Sequence, residues 1–343
     1  MIDTSLPQSE VSLPSFGRRA RSVVAYGAGT ALMMITPLLV FVPAALYHCA
    51  LRNGRRAAWV AFFIATGLTA LYYAQVGSVS APGSPVMMAY ALFLGVVLSV
   101  ALPAMMSIPL VERGERFGHV VVFALAGSAI GLGLTETIMR LAADFSPYAT
   151  QLQQWHEQTV TLIQFYRNMK VGPDMLRSAQ QWMRYLAEIL PASFLAEIAL
   201  VFLLSLMMFG RLRAWRGAGT AGGVPETAKP YLFRNFALPE WLLFGFVFGG
   251  LTPLTSGMLQ KIAANVLALI LFLYLLQGLA IFRKTIASSG VGIFGASLAI
   301  FTLVMLSAMG IGLILLIAAG LFDPFFDFRK LKRKDDSHES HTD

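Results

Sequence analysis

The chain has 343 residues, 57% of them hydrophobic and only 13% charged, with a formal net charge of +8. Soluble domains carry about 25% charged residues, and here the deficit runs along the whole chain, which excludes a soluble globular protein. The basic excess flanks apolar runs, so membrane orientation and anionic lipid account for it better than nucleic acid does.

Met1 to Leu13 is polar and lacks the basic stretch and cleavage site of a signal peptide. Residues 1–21 read as a cytoplasmic tail. Arg18, Arg19 and Arg21 precede the first apolar run, and Arg52, Arg55 and Arg56 follow it. Basic residues stay on the cytoplasmic side, so the run between them must enter the membrane and return. Pro37 and Pro43 divide it into two short helices, about 22–36 and 43–51, forming a hairpin or re-entrant pair. Cys49, the single cysteine, excludes an internal disulfide and reads as an inert small core residue. Ala25 and Gly29, and Gly27 and Ala31, are small residues four apart that permit close helix contact.

Spans follow at about 56–76, 85–106 and 118–142, each near the length that crosses a bilayer. The uncharged loop at 77–84 reads as external and Glu112–Arg116 as internal. An amphipathic external insert covers 144–187. Leu152, Trp155, Thr159, Leu162, Tyr166 and Met169 recur there at helical spacing. Gly172-Pro173-Asp174 ends that helix, and Asp174 is expected to cap a second at about 175–187. The insert reads as a lid, as a partner-binding or membrane-surface hairpin, or as a cover for helix ends.

A fifth span at about 188–209 leads into a basic, Gly-rich cytoplasmic linker, 210–238. A short sixth span, 239–252, ends at Thr252-Pro253-Leu254-Thr255, and a seventh covers 258–282. The run from Gly290 to Phe322 is too long for one span and breaks at Gly310-Ile311-Gly312. Residues 323–343 form a basic, then mixed-charge tail expected to anchor on anionic lipid. In this layout 20 of the 26 Lys and Arg residues lie inside, which favours an even number of crossings and both termini inside. The fold class is all-α: one transmembrane helical bundle, 22–322, with short hairpins at both ends and an external amphipathic hairpin.

Three ordered stretches carry a resemblance: Leu238-Pro239-Glu240-Trp241, then Ala264-Asn265-Val266 through Gln277-Gly278-Leu279-Ala280, and Gly320-Leu321-Phe322-Asp323-Pro324 through Lys330. With the Pro-split opening hairpin, they resemble the YybS-like family of bacterial membrane proteins over residues 22–334. The resemblance implies a multi-pass cytoplasmic-membrane protein distantly similar to substrate-capturing subunits of energy-coupling-factor transporters. It implies no catalytic residues. Those subunits have six helices and no long external insert, so this chain departs from their pattern. In that analogy, small residues on the first helix dock a membrane partner subunit.

Ionisable groups inside a membrane cost several kcal/mol and call for a functional hypothesis. Glu136, Glu197 and Lys261 are the leading candidates. Asn265 lies one turn beyond Lys261 on the same face, and Thr252 and Thr255 lie at the break before it. Together they read as a pocket for a small solute, open to the outer side. The plainer reading has Lys261 snorkelling, Glu136 in headgroups and Asn265 and Gln277 joining helices. No P-loop, nucleophile elbow or His–carboxylate cluster is present, and the five histidines are scattered. Neither an enzyme, a cofactor nor a metal site is expected. Two functions lead, solute capture as a transporter or transporter subunit and a scaffold or assembly role acting through the external hairpin and basic tail, with a lipid-modifying enzyme as the weakest third.

Overall fold

A computed structural model of the chain describes residues 16–79, 84–216, 231–290, 292–326 and 328. The expectations for residues 1–15, the linker core 217–230 and the tail 329–343 lie outside these. Among the described residues every regular element is helical.

The opening pair is α1 (Phe16–Ile35) and α2 (Val42–Asn53), joined by a 3₁₀ turn at Pro37–Phe41. Pro37 has no amide hydrogen to continue α1, and Thr36, in extended conformation, caps the turn by accepting from Leu38 N. The two helices run antiparallel. Asn53 Nδ2 donates to Ser22 Oγ at 3.3 Å, and the Tyr26 and His48 rings meet at 5.8 Å. The tip lies beside two spans: Thr69 donates to Met34 sulfur at 3.6 Å, and Ser205 donates to the Val40 carbonyl. The segment thus folds into the expected helical hairpin, with its basic-flanked ends together. Gly54 (φ 88°) then turns the chain into α3 (Arg55–Val79).

In lipid, helices associate through packing and hydrogen bonds rather than removal of water, so small residues decide where backbones approach. Gly27 lies on α3, where a Cβ would fall 2.7 Å from Ile64. Gly131 of α6 (Phe117–Ala143) lies against Leu98, where a Cβ would fall 2.1 Å from the carbonyl oxygen. Leu98 belongs to a π turn, Val97–Ala101, between α4 (Ser84–Val96) and α5 (Leu102–Glu112). Pro103 supplies no amide hydrogen there, and the helix widens just before it without losing its direction as one span, Val86–Glu112. The core centres on Leu46, Tyr47 and Cys49, all at most 1% exposed. Tyr47 shares a 2.8 Å hydrogen bond with Ser107 and meets the Phe209 ring edge-on.

Among the described residues five helices have the length and composition of membrane spans: Arg55–Val76, Val86–Glu112, Phe117–Ala143, Leu190–Arg211 and Gly257–Ser288. The last two lie in α9 (Leu190–Arg216) and α11 (Gly257–Ser288). The stretch expected as a short sixth span forms α10 (Leu242–Gly250) and a 3₁₀ turn at Thr252–Leu254, which together are too short to cross a bilayer as one helix. It packs on α11, with Gly245 against Ile270 and Gly249 against Leu267.

The final run breaks where expected, between α12 (Ile293–Ala308) and α13 (Ile311–Phe326), with Gly310 at φ 80°. The two short helices meet at a bend of 107°. Gly278 lies against Leu316 and Gly320 against Tyr274, so α13 runs antiparallel to α11 in backbone contact. That contact sets the direction of α13, and α12 retains no buried residue.

The insert between α6 and α9 is a helical hairpin of α7 (Pro147–Asn168) and α8 (Pro173–Glu188). The expected cap is also corrected. Gly172 occupies the N-cap position, Pro173 opens the helix, and Asp174 lies within the first turn, 3.8 Å from Arg177. Proline is favoured at that opening position because its missing donor has no helical partner anyway. The apolar stripe of α7 is only partly covered. Ile163 is its buried residue, while Leu152, Leu162 and Met169 are exposed. Trp155 faces inward and donates to the Met183 carbonyl of α8 at 3.3 Å.

Candidate functional site

The flagged polar residues divide between the two roots of this hairpin. At the α6–α7 root, the Glu136 carboxylate accepts from Arg140 Nε (2.6 Å), Ser146 Oγ (2.5 Å) and the Tyr148 amide (3.1 Å). Ser146 Oγ in turn accepts from Ala149 N at 3.0 Å, capping α7. Arg140 lies one helical turn beyond Glu136, on the same face. Asp144 closes α6 in the left-handed conformation at φ 49°, which aspartate tolerates better than most residues. Helix end, turn and helix start thus share one ionised acceptor, and bonds to a charged group are the stronger kind.

At the α8–α9 root, Asn265 of α11 does comparable work. Its Oδ1 accepts from Ala192 N at 2.9 Å, and its Nδ2 donates to the carbonyls of Glu188 (2.9 Å) and Lys261 (2.8 Å). One side chain therefore satisfies an unpaired carbonyl ending α8 and an unpaired amide opening α9. Lys261 is exposed and makes no ion pair with Glu136 or Glu197 among the described residues. Thr252 and Thr255 close their own turn, donating to Gly249 O (2.5 Å) and Thr252 O (3.1 Å). Glu197 lies exposed on α9 with no hydrogen bond or ion pair among the described residues. The fold joins Asn265 to the Lys261 backbone but does not link Glu197 with Glu136 or Lys261.

Two cavities lie elsewhere. A groove of about 530 Å³ runs along α7 beside Glu157, Thr161 and Phe165. A pocket of about 290 Å³ lies at the opposite end of the bundle, between Arg211, Arg234 and Arg283. In the sequence these arginines read only as orientation signals. Each adjoins an apolar helix or aromatic cluster, but their convergence depends on three separate elements.

A buried polar junction lies beside that pocket. Leu238 N donates to Gln277 Oε1 at 2.8 Å. Gln277 Nε2 donates to Gly320 O at 3.0 Å and to Asp323 Oδ2 at 3.2 Å. Gln277 and Asp323 are 1% and 7% exposed. The reading of Gln277 as a helix-joining residue is borne out. Asp323 has its own signal in the sequence, an acid within Gly-Leu-Phe-Asp-Pro at the end of an apolar run. Leu238, Gln277, Gly320 and Asp323 come from the three stretches that carry the resemblance, so those distant stretches meet in space.

Residues 23–324 match the family described as "Predicted membrane protein (DUF2232)". The chain belongs to this family. The match covers every described span and the whole Gln277 junction, so this DUF2232 chain is a multi-pass membrane protein on both sequence and structural grounds. No curated protein and no solved structure matches it.

Proposed function

We propose that the protein is a membrane assembly or scaffold protein that presents the α7–α8 hairpin to a second protein at the membrane surface. The carrying observation is a braced platform with an open apolar face. Glu136 and Asn265 hold its two roots, while α8 leaves Met175, Trp182, Tyr185 and Leu186 at 69%, 68%, 51% and 42% exposure. Aromatic residues and methionine are enriched in protein interfaces, and contiguous exposed apolar patches mark them. A platform already ordered loses little conformational freedom on docking. The rim carries both charge signs, Asp174, Arg177, Arg184 and Glu188, which suits a protein partner better than the one-signed basic flank drawn to anionic lipid.

In this reading the arginine-rich end faces the cytosol of a bacterial inner membrane, with both termini on that side. The positive-inside bias supports it. The N-terminal hairpin adds support, because Ser22 and Asn53 meet beside Arg52 and Arg55. The basic tail contacts anionic lipid.

The test is photo-crosslinking in membranes from positions 175 and 182, with position 180 on the opposite face of α8 as control. The assembly reading expects one protein species from 175 and 182, absent from 180 and reduced when Leu186 is changed to Ala. Adducts to lipid alone, or equal adducts from 180, would overturn it.

A second reading is capture of a small solute from the outer side, as a transporter or substrate-capture subunit. Supporting it are the broken helix at Thr252–Thr255 next to Lys261 and the kinship implied by the sequence resemblance. Broken membrane helices recur at transporter ligand sites. Mass-spectrometric detection of a retained solute whose binding is lost on Glu197→Gln would favour it over the assembly reading.

A further inference from the structure

We propose that the pocket between Arg211, Arg234 and Arg283 binds a phosphate-bearing group. The site is independent of the hairpin and lies at the other end of the bundle. Arg211 ends the α9 span, Arg283 lies in the last turns of α11, and Arg234 lies in the 3₁₀ turn Phe233–Asn235. Three separate elements thus bring guanidinium groups to one cavity. No carboxylate lines that cavity, and none of the three arginines has an ion pair among the described residues. At the same end of the bundle Arg55 does pair, with Glu112. Like charges brought together repel, and an anion of matching shape relieves this. The guanidinium fork matches phosphate oxygens in geometry as well as charge.

The pocket is held in shape. Phe236 is fully buried, packs edge-on against Phe117 at 5.2 Å and stacks with Phe233 at 6.4 Å. Tyr231 meets Phe117 at 5.4 Å. Four residues beyond Arg234, the Leu238 amide is fixed by Gln277. The segment carrying Arg234 is therefore pinned through its aromatic residues and again just downstream. Volume narrows the ligand class. About 290 Å³ lies at the lower limit of small-molecule pockets, about 300 Å³, which suits a headgroup or small phosphate compound. The apolar wall supplied by Met207 and Phe233, at the end of two spans, is compatible with either a lipid headgroup or a soluble phosphate.

The full chain is reconstituted in phosphatidylcholine nanodiscs and titrated calorimetrically in two arms. One arm uses dihexanoyl-phosphatidylglycerol and the other inorganic pyrophosphate. The expected result is saturable binding of about one equivalent in at least one arm. Arg211→Gln with Arg283→Gln should weaken it at least tenfold. Arg167→Gln with Arg177→Gln, equal in charge and remote in position, should leave it unchanged. Saturation by the lipid alone assigns a headgroup, and saturation by pyrophosphate assigns a soluble ligand. Arg283→Lys keeps the charge without the fork and should lie between wild type and the double variant. No saturation in either arm, or equal loss in the remote control, would overturn the proposal.

Discussion

The side chain of Asn265 accepts the backbone amide of Ala192, 73 residues away in sequence, at 2.9 Å. The same side chain donates to Glu188, so a residue of α11 holds the joint between α8 and α9. Replacing it by Leu leaves that amide and that carbonyl without their partner. A partner lost from a buried group costs about 1–3 kcal/mol. Asn265→Leu should lower the thermal midpoint in detergent and speed tryptic cleavage at Arg177 and Arg184. Unchanged cleavage would show that the joint does not depend on this side chain.

Glu136 braces the other root through three donors. Glu136→Ala should destabilise by about 1.5–3 kcal/mol, the range for hydrogen bonds to a charged group. Ser146→Ala removes one of these bonds and the cap of α7, so its effect should overlap with that of Glu136→Ala. A double-mutant cycle followed by thermal melting checks this, and strict additivity would refute a shared brace.

Glycine substitutions separate backbone contact from mere flexibility. At Gly278 a Cβ would fall 2.0 Å from the Leu316 carbonyl oxygen, whereas Gly133 has open space around it. Gly278→Ala should force α13 off α11 and sharply lower the yield of monodisperse protein. Gly133→Ala should be neutral or stabilising, by at most about 1 kcal/mol, because alanine favours the helix. Equal yields would mean that α11 and α13 do not touch.

Glu197→Gln distinguishes the two functional readings. The carboxylate is exposed on α9, so the assembly reading expects unchanged abundance and unchanged crosslinking from position 182. Loss of activity with normal folding would place Glu197 in a binding site.

Membrane orientation is checked by membrane-impermeant thiol labelling of single cysteines in a Cys49→Ala background. Residues 80 and 160 should label from outside, and residues 220 and 340 only after permeabilisation. External labelling of 340 alone would move the C-terminus across the membrane and leave the rest of the topology intact.

Sequence alone determined the helical class, the long apolar spans, the opening hairpin and the break at Gly310. Each of these is local: span length, proline and basic flanks act within a few residues of where they occur. Tertiary structure decided what the polar residues do. Sequence records the cost of Glu136 and Asn265 in lipid but not the backbone groups that meet them, and Asn265 meets partners 73 and 77 residues away. The contact between α11 and α13 is likewise tertiary, since Gly278 and Leu316 lie 38 residues apart. Periodicity shows which face of a helix is apolar, but only the packed fold shows which neighbour reaches it.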